Sequence, residues 1–229
     1  MDDLINNVHW KTDNSTIIYY SKTNYTILFK RPQQIMRFFD KSFNKIFIGI
    51  INNIQYEEKY NLWIVPYEKR NEIYNIVSNN IITYFTDTCL YNEIVLLKGK
   101  KMFDLNNLPI GVFYLQKPNL EKCIKMADYV IYSHPELFKL LNKIDNTKTY
   151  HYISNGCDYE HFSKAKNRIG ERPYDFPQTN KKILGYFGTF DYRKIDDGVI
   201  KQYADEGIYH IVMIGGIPNK SSKHNMVKS

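Results

Sequence analysis

The stretch from Lys182 to Gly216 constrains the fold of this chain more than any other segment. Ile183 to Phe187 is a short apolar run that Gly188 ends, and Ile208 to Ile214 is a second apolar run followed by two glycines. Between the two runs, apolar residues recur at the spacing of one helix face. Gly207 suits the left-handed position that ends such a helix. The pattern predicts a βαβ unit, in which the two strands are parallel.

The loop after the first strand of this unit is a candidate phosphate-binding segment. In βαβ units, ligands bind beyond the carboxyl end of the first strand, near the start of the helix. Gly188 lets the backbone approach a ligand closely, and Arg193 offers a fork of donors that matches a phosphate pair. Gly185 and Gly188 supply only half of a dinucleotide fingerprint, so we expect no NAD site. The alternative is that the glycines shape a turn and that Arg193 pairs with a neighbouring aspartate.

The same alternation of strand and helix patterns runs through the first 165 residues and predicts a Rossmann-like parallel sheet covered on both faces. The predicted strands lie near residues 15–22, 45–50, 62–67, 81–87, 101–105, 129–133 and 150–154. Residues 166–181 are polar, contain a glycine and two prolines, and indicate a linker. We therefore expect a first domain at 1–165, a linker at 166–181 and the start of a second Rossmann-like domain at 182–229.

Several polar residues of the first domain fall at predicted strand ends, where α/β proteins bind ligands. A helix predicted after the first strand begins with Arg31, Gln33 and Gln34, which would border the ligand crevice. The alternative is an ordinary helix start, since a proline stands beside them. Asp104 lies near the carboxyl end of its strand and could bind a sugar hydroxyl or act as a catalytic base; the alternative is a turn or cap residue. His134 lies between a strand and a helix, where it could act as a proton shuttle; the alternative is a structural residue.

Composition sets the broad class of protein. A net charge of +7 and 20 tyrosines are typical of proteins that bind nucleic acids or anionic membranes. The lysines, however, are dispersed along the chain. We therefore expect no specific nucleic-acid partner and at most peripheral contact with a membrane. Three cysteines without a C-x-x-C spacing argue against a disulfide framework or a zinc site. The N-terminus is acidic and polar, and the apolar runs are too short to span a bilayer. We expect a cytoplasmic protein.

Four blocks of sequence resemble the GT-B glycosyltransferases of the retaining family 4 type. Residues 127–133, ADYVIYS, match the family pattern aD-x-V-x-x-S, and residues 153–158 with Phe162 match I-P-N-G-V-D-x-x-x-F. Residues 183–196 resemble I-x-Y-x-G and the extension G-Y-x-G-x-x-D-x-R-x-D of a bacterial subgroup. That subgroup begins with Arg-Pro-Gln, as residues 31–34 do here.

The resemblance implies two Rossmann-like domains facing a cleft, with the acceptor bound mainly by the first and a nucleotide-sugar by the second. It implies that Gly188 and Arg193, together with Lys194, hold the donor diphosphate. It also implies that Asn155 and Gly156, which form a turn signal, lie between the domains. In this family positive side chains and a helix N-terminus stabilise the departing nucleoside diphosphate, so we expect no metal and no cofactor besides the donor substrate.

The sequence departs from the family at Ser154, Cys157 and, above all, after Gly216, where the paired glutamates that hold the donor's sugar and ribose are missing. We therefore expect a GT-B protein that is truncated in its second domain and inactive alone. Its role in a complete enzyme would be sugar transfer to a surface glycan or lipid-linked acceptor in polysaccharide biosynthesis. The alternatives are a non-catalytic subunit completed in trans by a partner chain, a basic nucleic-acid-binding protein, and a related sugar-nucleotide 2-epimerase.

Overall fold

A computed structural model describes residues 14–27, 29–77, 80–109, 117–167, 173–190 and 195–216. The chain divides into two compact units, residues 1–157 and 158–229. The sequence placed the end of the first domain at residue 165, whereas the units separate between Cys157 and Asp158. No helix within the described ranges is long and apolar enough to cross a membrane.

The first unit is built on an eight-stranded, mostly parallel sheet. Its strands are β1 (Thr16–Asn24), β2 (Asn44–Ile50), β3 (Gln55–Glu57), β4 (Leu62–Pro66), β5 (Ile81–Phe85), β6 (Lys100–Leu105), β7 (Tyr129–Tyr132) and β8 (Tyr150–Tyr152). They lie in the order β3-β4-β2-β1-β5-β6-β7-β8, and every neighbouring pair is parallel except β3 with β4. This α/β arrangement is compatible with a Rossmann-like fold and confirms the predicted parallel sheet.

Helices connect most of the strands. They are α1 (Arg31–Phe38), α2 (Arg70–Ile76), α3 (Tyr91–Ile94), α4 (Leu120–Met126) and α5 (Pro135–Ile144), with short 3-10 turns at Glu58–Tyr60, Tyr67–Lys69 and Thr88–Leu90. In β1, Ile18 and Tyr20 join one apolar core, and Ile17 and Tyr19 join the other, because successive side chains point to opposite faces of a sheet. The sheet is therefore buried on both faces.

The order of the strands reverses between β1 and β5. From β1 the chain continues outward to β2 and β4, and from β5 it continues in the other direction to β6, β7 and β8. In open parallel sheets the connections on either side of such a reversal diverge and leave a crevice beyond the carboxyl ends of the strands, where ligands bind. Residues that follow β1, β5 and β6 border this crevice.

Lysine ammonium groups cap the ends of two helices in the first unit. The buried Lys45 donates from Nζ to the carbonyl oxygens of Arg37 at 3.1 Å and Phe39 at 3.2 Å, at the end of α1. Lys148 likewise donates to the carbonyls of Ile124, at 2.7 Å, and Ala127 at the end of α4. These bonds satisfy carbonyls at the end of each helix that have no partner within it.

A second polar cluster surrounds Glu93 in α3. Its Oε1 accepts a hydrogen bond from Lys22 Nζ at 2.8 Å, and its Oε2 accepts from the hydroxyls of Tyr20, at 2.8 Å, and Tyr67. Arg70 Nε lies 3.6 Å from Oε2. Partial burial opposes ionisation of this carboxyl, but the donors outweigh it and lower the pKa of Glu93 to about 2. The cluster joins β1, α2 and α3.

The second unit contains α6 (Tyr159–Ser163), a 3-10 turn (Lys164–Asn167), β9 (Lys182–Phe187), α7 (Asp197–Asp205) and β10 (Tyr209–Ile214). Strands β9 and β10 pair in parallel around α7, which confirms the βαβ unit predicted from the sequence. Gly207 has a φ of 69° just after α7, in the left-handed region predicted for it. Residues 173–181 contain neither helix nor strand.

Candidate functional site

A buried ion pair lies at the reversal point of the sheet. Arg31 is the first residue of α1, and Asp104 lies one residue before the end of β6. Arg31 Nε donates to Asp104 Oδ2 at 2.9 Å, and the two side chains are 11% and 0% exposed. Tyr84, in β5, donates from its hydroxyl to the same oxygen at 2.7 Å. The sheet order joins residues that are 73 positions apart in the sequence.

The electrostatics of this pair are those of a carboxyl held in an apolar interior. Burial raises the pKa of Asp104, although the hydrogen bonds from Arg31 and Tyr84 act in the opposite direction. Burial and the charge of Asp104 also raise the pKa of Tyr84 well above its usual value, so its hydroxyl stays a donor. A buried ion pair adds little to stability, because desolvation offsets the attraction between the charges. The pair therefore points to a role other than stability.

Four buried side-chain atoms, two of them in this pair, have no hydrogen-bond partner among the described residues. They are Arg31 Nη2, Gln33 Nε2, Asp104 Oδ1 and Asn106 Oδ1. Leaving such an atom unpaired in a protein interior costs about 1–3 kcal/mol, and native proteins contain few of them. Two of the four atoms carry N–H donors and two are oxygen acceptors, and the ion pair itself contributes one of each, Arg31 Nη2 and Asp104 Oδ1.

The backbone fixes the two amides of this set. Gln33 lies in the first turn of α1 and is buried, and its Oε1 accepts a hydrogen bond from the backbone N–H of Lys30 at 3.2 Å. This bond leaves Nε2 as the unpaired end of the amide. Asn106 follows β6, two positions after the buried aspartate, and its carbonyl accepts a hydrogen bond from Ser133 Oγ at 2.9 Å. Gln33 therefore lies at the start of the helix that follows β1, and Asn106 lies just beyond the carboxyl end of β6.

The structure also links Arg31 to the segment that follows β8. Arg31 Nη1 donates to the carbonyl oxygen of Ser154 at 2.9 Å and to Asn155 Oδ1 at 3.2 Å. Gly156 is exposed, and a Cβ added there would meet nothing within 4 Å. The turn predicted from Asn155 and Gly156 is absent, since residues 153–158 form no turn. The asparagine instead contacts the arginine of the ion pair.

Two other predicted site residues make local contacts. Gln34 is half-buried in α1, and its backbone N–H donates to the carbonyl of Lys30 at 3.2 Å. His134 is exposed at the start of α5, where its Nδ1 accepts a hydrogen bond from the backbone N–H of Glu136 at 3.2 Å. This bond caps the helix. The structural alternative for His134 thus has a direct contact to support it, and its catalytic role stays a prediction.

The predicted diphosphate loop is described only in part. Gly188 follows β9 with a φ of 147°, and its backbone N–H donates to the carbonyl of Ile214 at 2.9 Å. That amide is therefore already engaged within the sheet. Arg193 and Lys194 lie outside the described residues. Across the described ranges, no group of three or more His, Cys, Asp and Glu side chains could hold a metal ion.

Sequence reasoning missed Tyr84 and Asn106. Asn106 stands two positions beyond Asp104 at a strand end, and this spacing is a signal that could have identified it, since alternate residues of an extended chain share a side. Tyr84 lies in an apolar strand, where nothing in the sequence distinguishes it from a core tyrosine. Its role depends on the hydroxyl reaching a neighbouring strand, which is set by the order of the sheet.

The comparisons with known proteins give no assignment. No model of a known protein family matches this chain, and a search of curated proteins finds no significant match. The function is therefore inferred from the chemistry of the site and from the sequence motifs.

Proposed function

We propose that this chain is a glycosyltransferase of the GT-B, retaining family 4 type, and that its first unit binds the sugar acceptor. The observation that carries the proposal is the ion pair of Arg31 and Asp104, in which each side chain keeps one unpaired polar atom, at the reversal point of a parallel sheet. The Rossmann-like architecture of the first unit and the four sequence blocks that resemble the family support it.

In this proposal the acceptor lies against the carboxyl edge of the sheet. A hydroxyl of the acceptor donates to Asp104 Oδ1, an acceptor atom without a partner in the described structure. Arg31 favours the charged form of the carboxyl, because a positive charge at 2.9 Å acts against burial, which raises the pKa of Asp104. The arginine also joins the acceptor site to the segment of Ser154 and Asn155. Asp104 would thus position the attacking hydroxyl.

Binding of the nucleotide-sugar donor is proposed from the sequence resemblance alone. The proposal takes residues 182–216 as the leading βαβ unit of a donor-binding domain, in which Gly188, Arg193 and Lys194 hold the diphosphate of a nucleotide-sugar. Positive side chains would stabilise the departing nucleoside diphosphate without a metal. The proposed acceptor is a surface glycan or a lipid-linked glycan.

The proposal is tested by saturation-transfer NMR on the purified chain. The ligands are methyl glycosides of glucose, galactose and mannose, and UDP-glucose, UDP-galactose and GDP-mannose. We expect saturation transfer to a glycoside that Arg31→Met abolishes. The matched control Arg70→Met, in the cluster around Glu93, should retain it. A folded chain that binds no glycoside and no nucleotide-sugar would refute the proposal.

Turnover separates an enzyme from a binding subunit. Release of nucleoside diphosphate from a nucleotide-sugar, dependent on an added glycoside, would establish transfer by this chain. Glycoside binding without turnover, which changes to turnover when a second polypeptide is added, would instead identify a subunit completed in trans.

A further inference from the structure

The first unit ends in an irregular segment, residues 153–157, which is exposed and contains no helix, strand or turn. At its start, the backbone N–H of Ile153 donates to the carbonyl oxygen of Tyr132 at 2.9 Å, beside the pairing of β7 with β8. Directly after it, Asp158 begins the second unit and caps α6. Between these two points, the hydrogen bonds that the described residues make to the segment come from Arg31. The arginine is therefore the group that can hold this segment in place.

Arg31 reaches the segment with one nitrogen of its guanidinium group and the buried aspartate with another. Nη1 donates to the carbonyl oxygen of Ser154 at 2.9 Å and to Asn155 Oδ1 at 3.2 Å. Nε donates to Asp104 Oδ2 at 2.9 Å. A guanidinium group is planar and presents its donors in a rigid fork, so the bond made by Nε fixes the direction of Nη1. One side chain thus ties residues 154 and 155 to β6.

The ion pair makes this arginine a rigid support. Asp104 is 0% exposed, and Tyr84 donates from its hydroxyl to the same carboxylate oxygen at 2.7 Å, so the carboxylate cannot turn without losing two bonds. A free arginine side chain loses much rotamer entropy when a contact fixes it in one conformation. Burial against Asp104 confines Arg31 already, at 11% exposure. Its bonds to Ser154 and Asn155 therefore hold a single geometry.

We infer that Arg31 is a positioning residue, and that its buried ion pair with Asp104 anchors the segment 153–157, from which the chain continues into the second unit. The inference goes beyond the proposed function, because it concerns the chain without a ligand and holds whatever the first unit binds. It gives Asp104 Oδ2 the task of orienting the arginine, and Oδ1, which has no partner among the described residues, stays available to a ligand.

Two native cysteines allow the position of the segment to be measured. Cys157 is exposed within the segment, and Cys89 is exposed in the 3-10 turn after β5, whereas Cys123 is buried and shielded from a label. Nitroxide labels on the two exposed thiols give a distance distribution by pulsed electron paramagnetic resonance, in the full chain and without a ligand. Strands β5 and β8 lie three strand spacings apart, about 14 Å, and the labels add their own length. This separation suits the method.

The wild-type chain should give one narrow distribution. Arg31→Met removes every bond of the guanidinium group and should broaden it. Asp104→Val leaves the bonds from Arg31 to the segment but removes the partner that orients them, so it should give an intermediate width. Arg37→Met is the matched control, because it lies in the same helix and loses a similar ion pair, with Glu57. This control should leave the distribution unchanged.

A second variant keeps the test decisive if Arg31→Met fails to fold. Arg31→Lys retains a positive charge beside Asp104, so the buried carboxylate keeps a partner. An ammonium group is a compact point charge without the planar fork, and it cannot hold the carboxylate and the segment in the same geometry. Arg31→Lys should therefore fold, as judged by circular dichroism, and should still broaden the distribution.

The outcomes separate this inference from the proposed function. A broad distribution in the wild-type chain, or one that stays equally narrow in the folded Arg31 variants, would overturn the inference and leave the proposed function standing. Equal broadening by Arg37→Met would also overturn it, because the effect would then be a general loosening of α1. A chain that binds no glycoside but shows the expected broadening would refute the proposed function and leave the anchor intact.

Discussion

Replacing the ion pair of Arg31 and Asp104 with apolar residues should cost little stability and should abolish ligand binding. Arg31→Met alone leaves a carboxylate that is 0% exposed with Tyr84 as its one remaining donor. Asp104→Val alone leaves a guanidinium that is 11% exposed and still bonded to the segment after β8. Removing one member of a buried pair costs about 3–5 kcal/mol, and we expect the arginine variant at the upper end of this range.

The double variant Arg31→Met/Asp104→Val should recover most of this loss. No buried charge remains, so its free energy of unfolding should lie within about 2 kcal/mol of the wild type. The hydroxyl of Tyr84 is then unpaired, which costs about 1–3 kcal/mol, and adding Tyr84→Phe should return most of that amount.

Tryptophan fluorescence during urea unfolding measures these differences in the first unit. Trp63 lies in β4 and is 6% exposed, so unfolding of the sheet changes its environment. The double variant should keep the wild-type fluorescence and circular dichroism and lose glycoside binding. A double variant whose loss equals the sum of the single losses would refute the reasoning, because it would show that the two charges do not compensate each other. The reasoning would also be refuted if each single variant lost less than about 1 kcal/mol of its free energy of unfolding.

Three further variants test other parts of the fold. Gly99 has a φ of 80°, and a Cβ there would lie 2.4 Å from a carbonyl oxygen. Gly99→Ala should therefore lower the free energy of unfolding, measured with urea, by more than about 1–3 kcal/mol, whereas Gly156→Ala should leave it unchanged. Lys45→Met removes the cap of α1 and should cost about 1–3 kcal/mol; an unchanged midpoint would contradict this. The pKa of Glu93 is lowered to about 2 in the folded protein, so its ionised form stabilises the fold. This contribution to the free energy of unfolding is present above the unfolded pKa of about 4.3 and is lost as the pH falls toward 2. Glu93→Gln should therefore be less stable than wild type at pH 6 and should approach it at pH 3, and a constant difference would contradict the assignment.

The sequence predicted local elements well because their signals are local. The βαβ unit follows from two apolar runs, a helical spacing and the glycine that ends the helix, and α5 begins at Pro135, directly after His134, where a helix start was expected. The three-residue strand β3 was missed, because it is too short to show an alternating pattern. The first strand, predicted near residues 15–22, ends at Asn24, and residues 25–27 form bends, since Asn24 Oδ1 accepts hydrogen bonds from the two N–H groups at 26 and 27.

The candidate site was predictable only in part. Arg31 and Asp104 could be selected separately, as polar residues at strand ends, but their contact depends on β1 lying beside β5 and β5 beside β6. A sequence pattern shows where strands are and does not give their order. Burial could not be predicted either. Gln33 Nε2 and Asn106 Oδ1 are unpaired because of how the interior packs, and the residue types alone do not reveal this.

A crystal structure of the chain with a bound methyl glycoside tests the central claim most directly. We expect a hydroxyl of the sugar within hydrogen-bond distance, about 2.7–3.2 Å, of Asp104 Oδ1. A sugar bound elsewhere, with ordered water on this atom, would contradict the claim.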